Sequence, residues 1–287
     1  MIDKNMKITV AGSGTMGTQI AMQVALNGYS VKLYDMSEKA LAKANAFANE
    51  WCDKKIAKGK MNENEKEEFL SRLMFTDDIK LAAEAADIVI EAIIDVVSAK
   101  RAFLKEIDQY TPENAIYASN SSYIVSSRFA DAVEHPENVL NTHFFNPALV
   151  MKLVEIVKGD HVSDKVIDTM FEFISSIGKE PVLIKKEIYG FVVNRIFSAM
   201  TKEACYLVDM GIASVEDIDK AVKLGLGHSM GPLEILDMTG IDLEYDVLMD
   251  KFRMTGDPAD RPSAALVERY AKGEYGRKSK KGFYDYE

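Results

Sequence analysis

The feature that most constrains the fold is a glycine-rich loop between a short apolar strand pattern and a helix pattern. The strand pattern covers Lys7–Ala11, and its β-branched residues lead directly into Gly-Ser-Gly-Thr-Met-Gly at 12–17. A helix pattern runs from about Met16 to Asn27, and a second strand pattern runs from Ser30 to Asp35. Strand, helix and strand within about thirty residues form a βαβ unit, which requires a parallel sheet with a right-handed crossover.

The same alternation of strand and helix patterns continues to about residue 186. The residues from Ser37 to about Glu68 are rich in Ala, Lys and Glu, which indicates one or two helices broken near Gly59. Further strands are predicted at 86–94, 115–119, 139–145, 153–157 and 181–184, with helical stretches between most of them. The pattern predicts an α/β fold of Rossmann type, with a mostly parallel, doubly wound sheet and helices on both faces.

Helix patterns dominate the chain after Lys186, apart from a short strand candidate at 283–286. Helices are indicated at 190–210, after a capping-box variant at 214–217, from Gly231-Pro232 onward, and from Pro262 to Gly273. The 287 residues are enough for two domains of ordinary size. We therefore predict a sheet-containing domain at 1–186 and a smaller all-helical domain at 187–287.

The glycine loop fits the pattern G-x-G-x-x-G in the strand–turn–helix context that dinucleotide binding requires. Gly12 permits the tight turn, Gly14 lets a pyrophosphate approach the backbone, and Gly17 allows close packing of helix and strand. Asp35 ends the second strand pattern, where its carboxylate can accept ribose hydroxyls and repel a 2′-phosphate, so NAD is predicted rather than NADP. The predicted cofactor residues in this region are Gly12, Ser13, Gly14, Thr15, Met16, Gly17 and Asp35.

A nicotinamide cofactor transfers hydride, so the site also needs a group that exchanges a proton with an alcohol or ketone. Histidine suits this role because its pKa lies near neutrality. Of the four histidines, His143 lies at the carboxyl end of an apolar strand pattern, at the edge where open α/β sheets bind ligands. From the residues alone, a structural role for this histidine is at least as well supported as a catalytic one.

Charge and cysteine content argue against several other classes of protein. The 35 basic and 45 acidic residues give a formal net charge of −10, so no nucleic-acid partner is predicted. Apolar runs are too short to span a bilayer, so no membrane partner is predicted either. The two cysteines, Cys52 and Cys205, form no metal-binding pattern, and we expect no disulfide and no metal site. We expect no targeting peptide before the first strand, and the reducing cytoplasm is the expected compartment.

Several segments beyond the glycine loop carry recognisable motifs. The most specific are His143-Phe-Phe-Asn-Pro147 and Met151-Lys-Leu-Val-Glu-Ile156, and others lie at 89–95 with Lys100, 118–122, 190–195, 230–234 and 276–286. Over nearly its whole length the chain resembles the L-3-hydroxyacyl-CoA dehydrogenases, most closely the short bacterial 3-hydroxybutyryl-CoA dehydrogenases of butyrate metabolism. The resemblance implies NAD-dependent oxidation of (S)-3-hydroxyacyl-CoA and the reverse reduction, with acetoacetyl-CoA as the preferred short-chain substrate.

The resemblance also implies roles for particular residues. It makes His143 the general acid/base and Glu155 the carboxylate that fixes its tautomer and stabilises the imidazolium. It makes Ser122 a contact of the reacting oxygen or of the nicotinamide ribose, and Asn194 a second contact of the substrate oxygen. The residues that match family positions near the cofactor are Glu91, Lys100, Asn146 and Lys278.

An acyl-CoA substrate brings phosphates, so cations must gather somewhere on this acidic chain. Lys54 and Lys58 belong to a cluster of four lysines at 54–60 and share one helix face, four residues apart. Lys58 lies about where the family has a CoA-contacting lysine. A solvated helix face, balanced by nearby glutamates, is the alternative interpretation of this cluster.

The chain departs from the family pattern at five positions. Tyr123 stands where a second Ser is usual, Tyr189 replaces the usual Pro before Gly190-Phe191, and Asp95 replaces a usual Glu. Trp51 and Lys280 are the remaining two. Because Trp51, Asp95 and Tyr123 bear on substrate fit, a preference for an acyl chain other than four carbons is an alternative.

Two other functions stay open on the sequence. One is a dehydrogenase of a free hydroxy acid, of gulonate type, on the same fold, and the other is a binding protein that has lost catalysis. A 3-hydroxyisobutyrate- or 6-phosphogluconate-type enzyme would use a Lys early in the helical domain, where residues 190–195 offer Asn and Arg instead. The family implies a homodimer through the helical domain.

Overall fold

The computed structural model describes residues 3–287, and the chain divides between Phe191 and Val192 into two compact units. This division lies five residues beyond the boundary predicted after residue 186. The difference has a packing cause, because Phe191 is fully buried against Val157 and Ile184 of the first unit. The chain between the last strand and Phe191 therefore belongs to the first unit.

One mixed sheet organises the first unit. Its strands are β1 (Lys7–Ala11), β2 (Ser30–Tyr34), β3 (Leu73–Thr76), β4 (Ile88–Glu91), β5 (Ile116–Ser119), β6 (Val139–Phe144), β7 (Leu153–Val157) and β8 (Glu180–Ile184). The strand order is β3-β2-β1-β4-β5-β6-β7-β8, and β6 and β7 form the one antiparallel pair among these neighbours. The predicted mostly parallel, doubly wound α/β architecture is confirmed.

Helices flank the sheet and bury both of its faces. They are α1 (Thr15–Leu26), α2 (Glu38–Ala57), α3 (Glu63–Ser71), α4 (Ile79–Ala83), α5 (Val97–Ile107) and α6 (Asp164–Ser176). Alternate residues of β4 enter different cores, since Ile88 and Ile90 join one hydrophobic cluster and Val89 joins another. A strand buried on both faces reads as a continuous apolar run, which is why the sequence predicts β4 and most of its neighbours.

Sequence patterns miss β3. Its apolar run, Leu73-Met-Phe75, is only three residues long, and Met74 within it is exposed. The strand pairs with β2 alone and is the last strand at its end of the sheet. Its place is set by that pairing rather than by a local pattern.

Helices build the second unit. They are α7 (Val193–Asp209), α8 (Val215–Leu226), α9 (Pro232–Thr239), α10 (Ile241–Thr255) and α11 (Ala264–Lys272). The all-helical prediction is confirmed, but one predicted helix after Gly231 is in fact two. Gly240 separates α9 from α10 with a φ of +109°, a conformation that an L side chain rarely adopts.

The strand predicted at 283–286 is wrong, since this segment makes an isolated bridge and no ladder. The carboxylate of Asp237 accepts hydrogen bonds from the backbone N–H groups of Phe283 and Tyr284, both at 2.8 Å. These amides are therefore engaged by a side chain and cannot donate to a neighbouring strand.

The described part of the chain contains no helix long and apolar enough to cross a membrane. Both cysteines are unpaired and buried, and burial raises the pKa of the Cys205 thiol to about 12. Across residues 3–287 no group of three or more His, Cys, Asp or Glu side chains has the arrangement of a metal site.

Candidate active site

A buried histidine and a buried glutamate face each other across β6 and β7. The antiparallel register places His143 directly opposite Glu155, and Nδ1 of the imidazole lies 2.9 Å from Oε2 of the carboxylate. The two residues are 4% and 1% exposed. A carboxylate beside Nδ1 favours the tautomer in which that nitrogen carries the proton, which leaves Nε2 to exchange a proton with a ligand.

Aromatic rings surround this pair. The ring of Phe145 lies 4.5 Å from that of His143 between centroids, and the ring of Phe191 lies 5.5 Å away. Apolar walls lower the local dielectric, which strengthens the attraction between an imidazolium and a carboxylate. The geometry suits a histidine that exchanges a proton with a ligand through Nε2 while the Glu155 carboxyl group orients its ring.

Sequence reasoning missed the residues that hold the loop between His143 and Glu155. This loop, residues 145–152, carries Asn146, which is exposed. The ammonium of Lys179 donates to the carbonyls of Ala148 and Met151, the latter at 2.8 Å, and burial lowers the pKa of this lysine. Gln19 of α1 accepts a hydrogen bond from the backbone of the same loop at 3.3 Å. No local pattern marks these residues, because their partners are distant in sequence.

A second buried ion pair lies at the carboxyl ends of β4 and β5. The Nζ of Lys100 lies 2.8 and 2.9 Å from the two carboxylate oxygens of Glu91, and both residues are 1% exposed. Ser119 also donates to Glu91, at 2.6 Å, and Asp95 lies 3.2 Å from the same ammonium. Glu91, predicted to line the nicotinamide end, and Lys100, predicted to lie near the cofactor, therefore form an ion pair in which each compensates the charge of the other.

Three positions at which the resemblance predicts a departure from the family pattern lie around Ser122, which is half-buried in the turn after β5. Asp95 accepts a hydrogen bond from the hydroxyl of Ser121, immediately before it. Tyr123, immediately after it, packs its ring against that of Tyr189, with 5.0 Å between centroids. These departures are thus concentrated at one turn beside a predicted site residue.

The glycine loop has the geometry that a pyrophosphate requires. Gly12 has a φ of +97°, and a Cβ there would lie 2.4 Å from a backbone oxygen of the loop after β4. A Cβ on Gly17 would lie 1.8 Å from the carbonyl oxygen of Gly12, so both glycines are needed for packing. A Cβ on Gly14, in contrast, would meet no protein atom within 4 Å, which leaves room for a ligand at the start of α1.

The start of α1 also has suitable electrostatics for an anion. Its N-cap is Gly14, which has no side chain, and its first turn is the uncharged Thr15-Met-Gly-Thr18. The first backbone N–H groups of the helix are therefore free of side-chain capping and can bind phosphate oxygens. This loop fits the pyrophosphate of NAD.

Asp35 directly follows β2, and its carboxylate holds the glycine loop in place. One carboxylate oxygen accepts hydrogen bonds from the N–H and hydroxyl of Ser13, at 2.7 and 2.8 Å. The other accepts from the N–H of Ser37 at 2.9 Å. The carboxylate keeps further lone pairs for ribose hydroxyls, and its negative charge opposes a 2′-phosphate, which fits NAD rather than NADP.

Four predicted site residues lie at the C-terminal end of α2 or in the second unit. Lys54 forms an exposed ion pair with Glu50 at 2.7 Å in the last turn of α2, and Lys58 caps that helix. Cations at a helix C-terminus also interact favourably with the helix dipole, so the solvated-face interpretation remains open. In the second unit, Asn194 lies in the first turn of α7 and Lys278 pairs with Asp242.

The remaining features converge on one edge of the sheet. Strands β1, β4, β5 and β6 are parallel neighbours, so their carboxyl ends lie side by side. The glycine loop, Glu91, Ser122 and His143 all lie at those ends. A nucleotide loop and a paired histidine at the same sheet edge are typical of NAD-dependent dehydrogenases.

Comparison with known proteins makes the class more specific. Residues 7–188 match the family model described as 3-hydroxyacyl-CoA dehydrogenase, NAD binding domain. Residues 190–286 match the C-terminal domain of 3-hydroxyacyl-CoA dehydrogenase. The chain therefore belongs to the 3-hydroxyacyl-CoA dehydrogenase family.

Individual relatives cover almost the whole chain. A 3-hydroxybutyryl-CoA dehydrogenase of Clostridioides difficile is 37% identical, over 98% of this chain and 99% of the relative. The mitochondrial hydroxyacyl-coenzyme A dehydrogenase of Homo sapiens is also 37% identical, over 97% of this chain and 90% of the relative. The crystal structure of (S)-3-hydroxybutyryl-CoA dehydrogenase from Ralstonia eutropha is similar with a TM-score of 0.91 and 36% identity, over 98% and 99% of the two chains.

Substitution of two loop glycines is expected to separate cofactor binding from stability. Gly14→Ala should leave the free energy of unfolding within about 0.5 kcal/mol of the parent, because the methyl group meets no protein atom. It should weaken NADH binding at least about tenfold, because the methyl group occupies the path of the pyrophosphate. Gly17→Ala should lower the free energy of unfolding by at least about 1–3 kcal/mol, because its methyl group overlaps the backbone of Gly12.

Urea unfolding and fluorescence titration with NADH measure the two effects. Gly17→Ala serves as the matched control, since it adds the same methyl group to the same loop. NADH binding by Gly14→Ala at the parent affinity would show that the pyrophosphate does not approach this residue.

Proposed function

We propose that this protein oxidises (S)-3-hydroxyacyl-CoA to 3-oxoacyl-CoA with NAD and catalyses the reverse reduction. The observation that carries the proposal is the buried His143–Glu155 pair at the sheet edge that also holds the glycine loop. Family membership supports the substrate class. The name of the Clostridioides difficile relative, which has almost the same length, supports 3-hydroxybutyryl-CoA and acetoacetyl-CoA as the preferred pair.

His143 acts as the proton-transfer group in this proposal. Glu155 holds Nδ1–H, so Nε2 is the nitrogen that takes the proton of the C3 hydroxyl. Bound NAD supplies the hydride acceptor for the hydrogen on C3. The imidazolium that forms is stabilised by the adjacent carboxylate, and in the reducing direction it returns the proton to the C3 oxygen.

Ser122 and Asn194 are the proposed hydrogen-bond donors to the C3 oxygen. Ser122 follows β5 at the ligand edge of the sheet, and Asn194 begins α7. Preorganised donors aimed at an oxygen that gains charge often make the largest contribution to catalysis. Glu91 and Asn146 are proposed to line the nicotinamide end, and Lys100 and Lys278 to lie near the cofactor.

We further propose a cytoplasmic homodimer that works in butyrate or fatty-acid metabolism. The second unit exposes large apolar side chains on several helices, as expected of a surface that a second copy covers. They include Ile196, Met210, Ile212, Leu224 and Leu226. The two unpaired, buried cysteines are consistent with a reducing compartment.

A substrate panel tests the proposed function. The protein is mixed with NADH and, in turn, acetoacetyl-CoA, free acetoacetate and a sugar-acid ketone, and NADH loss is followed by absorbance. We expect rapid oxidation of NADH with acetoacetyl-CoA and at least about a hundredfold lower kcat/KM with the free ketones, because the CoA group supplies binding energy. Oxidation with free ketones alone would indicate a hydroxy-acid dehydrogenase, and none with any ketone would indicate a binding protein.

Substitution of the dyad tests the proton-transfer role. His143→Gln should lower kcat by about 10²–10⁴-fold, because the amide that replaces the imidazole does not exchange the proton near neutral pH. Glu155→Gln should lower kcat by at least about tenfold, because the imidazolium loses its charged partner. The KM for NADH should stay within about twofold in both variants.

The control is His135→Gln, which changes a partly exposed histidine paired with Glu137. It should retain parental kcat and KM for both substrates. A His143→Gln variant with near-parental kcat would remove the proposed base.

Substitution of two lysines tests the proposed CoA end. If Lys54 and Lys58 contact CoA phosphates, Lys54→Met with Lys58→Met should raise the KM for acetoacetyl-CoA at least about fivefold at low salt and leave the KM for NADH unchanged. The matched control is Lys39→Met with Lys43→Met, an exposed pair on the same helix. An unchanged KM for acetoacetyl-CoA would place the CoA phosphates elsewhere.

A further inference from the structure

The backbone of the segment Tyr189-Gly190-Phe191 has an unfavourable conformation. Gly190 has a φ of +75°, and Phe191 has a φ of +50°, which is unfavourable for a bulky L residue. The side chain of Phe191 is nevertheless fully buried, packed against Val157 and Ile184. Backbone strain of this kind persists where the surrounding contacts impose it, and it is found most often at functional sites.

Each end of this segment contacts a different part of the candidate active site. The ring of Phe191 lies 5.5 Å from that of His143. The ring of Tyr189 lies 5.0 Å from that of Tyr123, at an interplanar angle of 38°. Tyr123 directly follows Ser122, so three consecutive residues connect the Ser122 turn to the His143 ring.

Hydrogen bonds fix the other side of the Ser122 turn. The hydroxyl of Ser121 donates to Asp95 and accepts from the N–H of Ile124 at 3.0 Å. Asp95 is itself held 3.2 Å from the ammonium of Lys100. The residue before Ser122 is thus held by polar contacts, and the residue after it is held by an aromatic contact.

We propose that Tyr123 and Tyr189 are positioning residues that set the distance between the hydroxyl of Ser122 and the imidazole of His143. This inference rests on the proposed function, in which both groups act on one substrate oxygen. Aromatic rings suit the task because they are rigid and have few rotatable bonds. Displacement of a reacting group by about 1 Å can cost about a hundredfold in rate, so a modest movement of the turn is costly.

Both tyrosines are departures from the family pattern, and they contact each other. The two rings are therefore expected to act together, because each packs against the other. Loss of both rings should lower kcat by less than the product of the two single losses, because either single change already removes the contact between them.

A double-mutant cycle tests the proposal. Tyr123→Ala, Tyr189→Ala and the double variant should each lower kcat for acetoacetyl-CoA reduction by about tenfold, with the KM for NADH unchanged. Tyr123→Phe and Tyr189→Phe should lower kcat less than the corresponding alanine variants, because they retain the rings. Tyr110→Ala, which removes a partly exposed tyrosine after α5, is the control and should match the parent. Tyr189→Leu repeats the test with an apolar side chain if Tyr189→Ala does not fold.

Hydrogen exchange of the free protein gives a second readout that needs no activity. The amide of Ile124 should exchange at least about fivefold faster in each alanine variant, and more slowly in each phenylalanine variant than in the corresponding alanine variant. Losses of kcat that multiply in the double variant, or unchanged exchange at Ile124, would overturn the proposal. Absence of turnover by the parent would instead overturn the proposed function, and the exchange result would still decide whether the two rings hold the turn.

Discussion

The hydrogen bond between His143 and Glu155 depends on a single reversal of strand direction. Because β7 runs antiparallel to β6, residues twelve positions apart become directly opposite. A slip of one residue in this register would turn one side chain to the other face of the sheet and separate the pair. Lys179 and Gln19 hold the connecting loop, so buried polar contacts from two other elements protect the register.

An acidic chain that binds an anionic cofactor needs local positive potential, and the backbone supplies part of it. The first turn of α1 carries no charged side chain, so the N–H groups of that turn and the helix dipole face the ligand. The most deeply buried cation at this sheet edge, Lys100, is neutralised by Glu91. That pair fixes the ends of β4 and β5 and adds little net charge.

Local patterns predicted most of the fold and failed where distant contacts decide the structure. Strands buried on both faces form apolar runs, and the predicted range 153–157 coincides with β7. The apolar run of β3 is only three residues long, and Gly240 divides a helix pattern into two helices. Asp237 accepts hydrogen bonds from the amides that a strand at 283–286 would need. The glycine loop was predictable because its function depends on a short contiguous segment.

The sequence by itself determined most of the strands and helices, the nucleotide loop and the family motifs that contain His143, Glu155 and Ser122. Only the tertiary structure decided which side chains around these motifs contact one another. It paired Glu91 with Lys100, and it placed Tyr189 against Tyr123 beside Ser122. The reason is physical: helix and strand periodicity depends on neighbours a few residues away, whereas these contacts depend on strand order, register and loop packing across the whole unit.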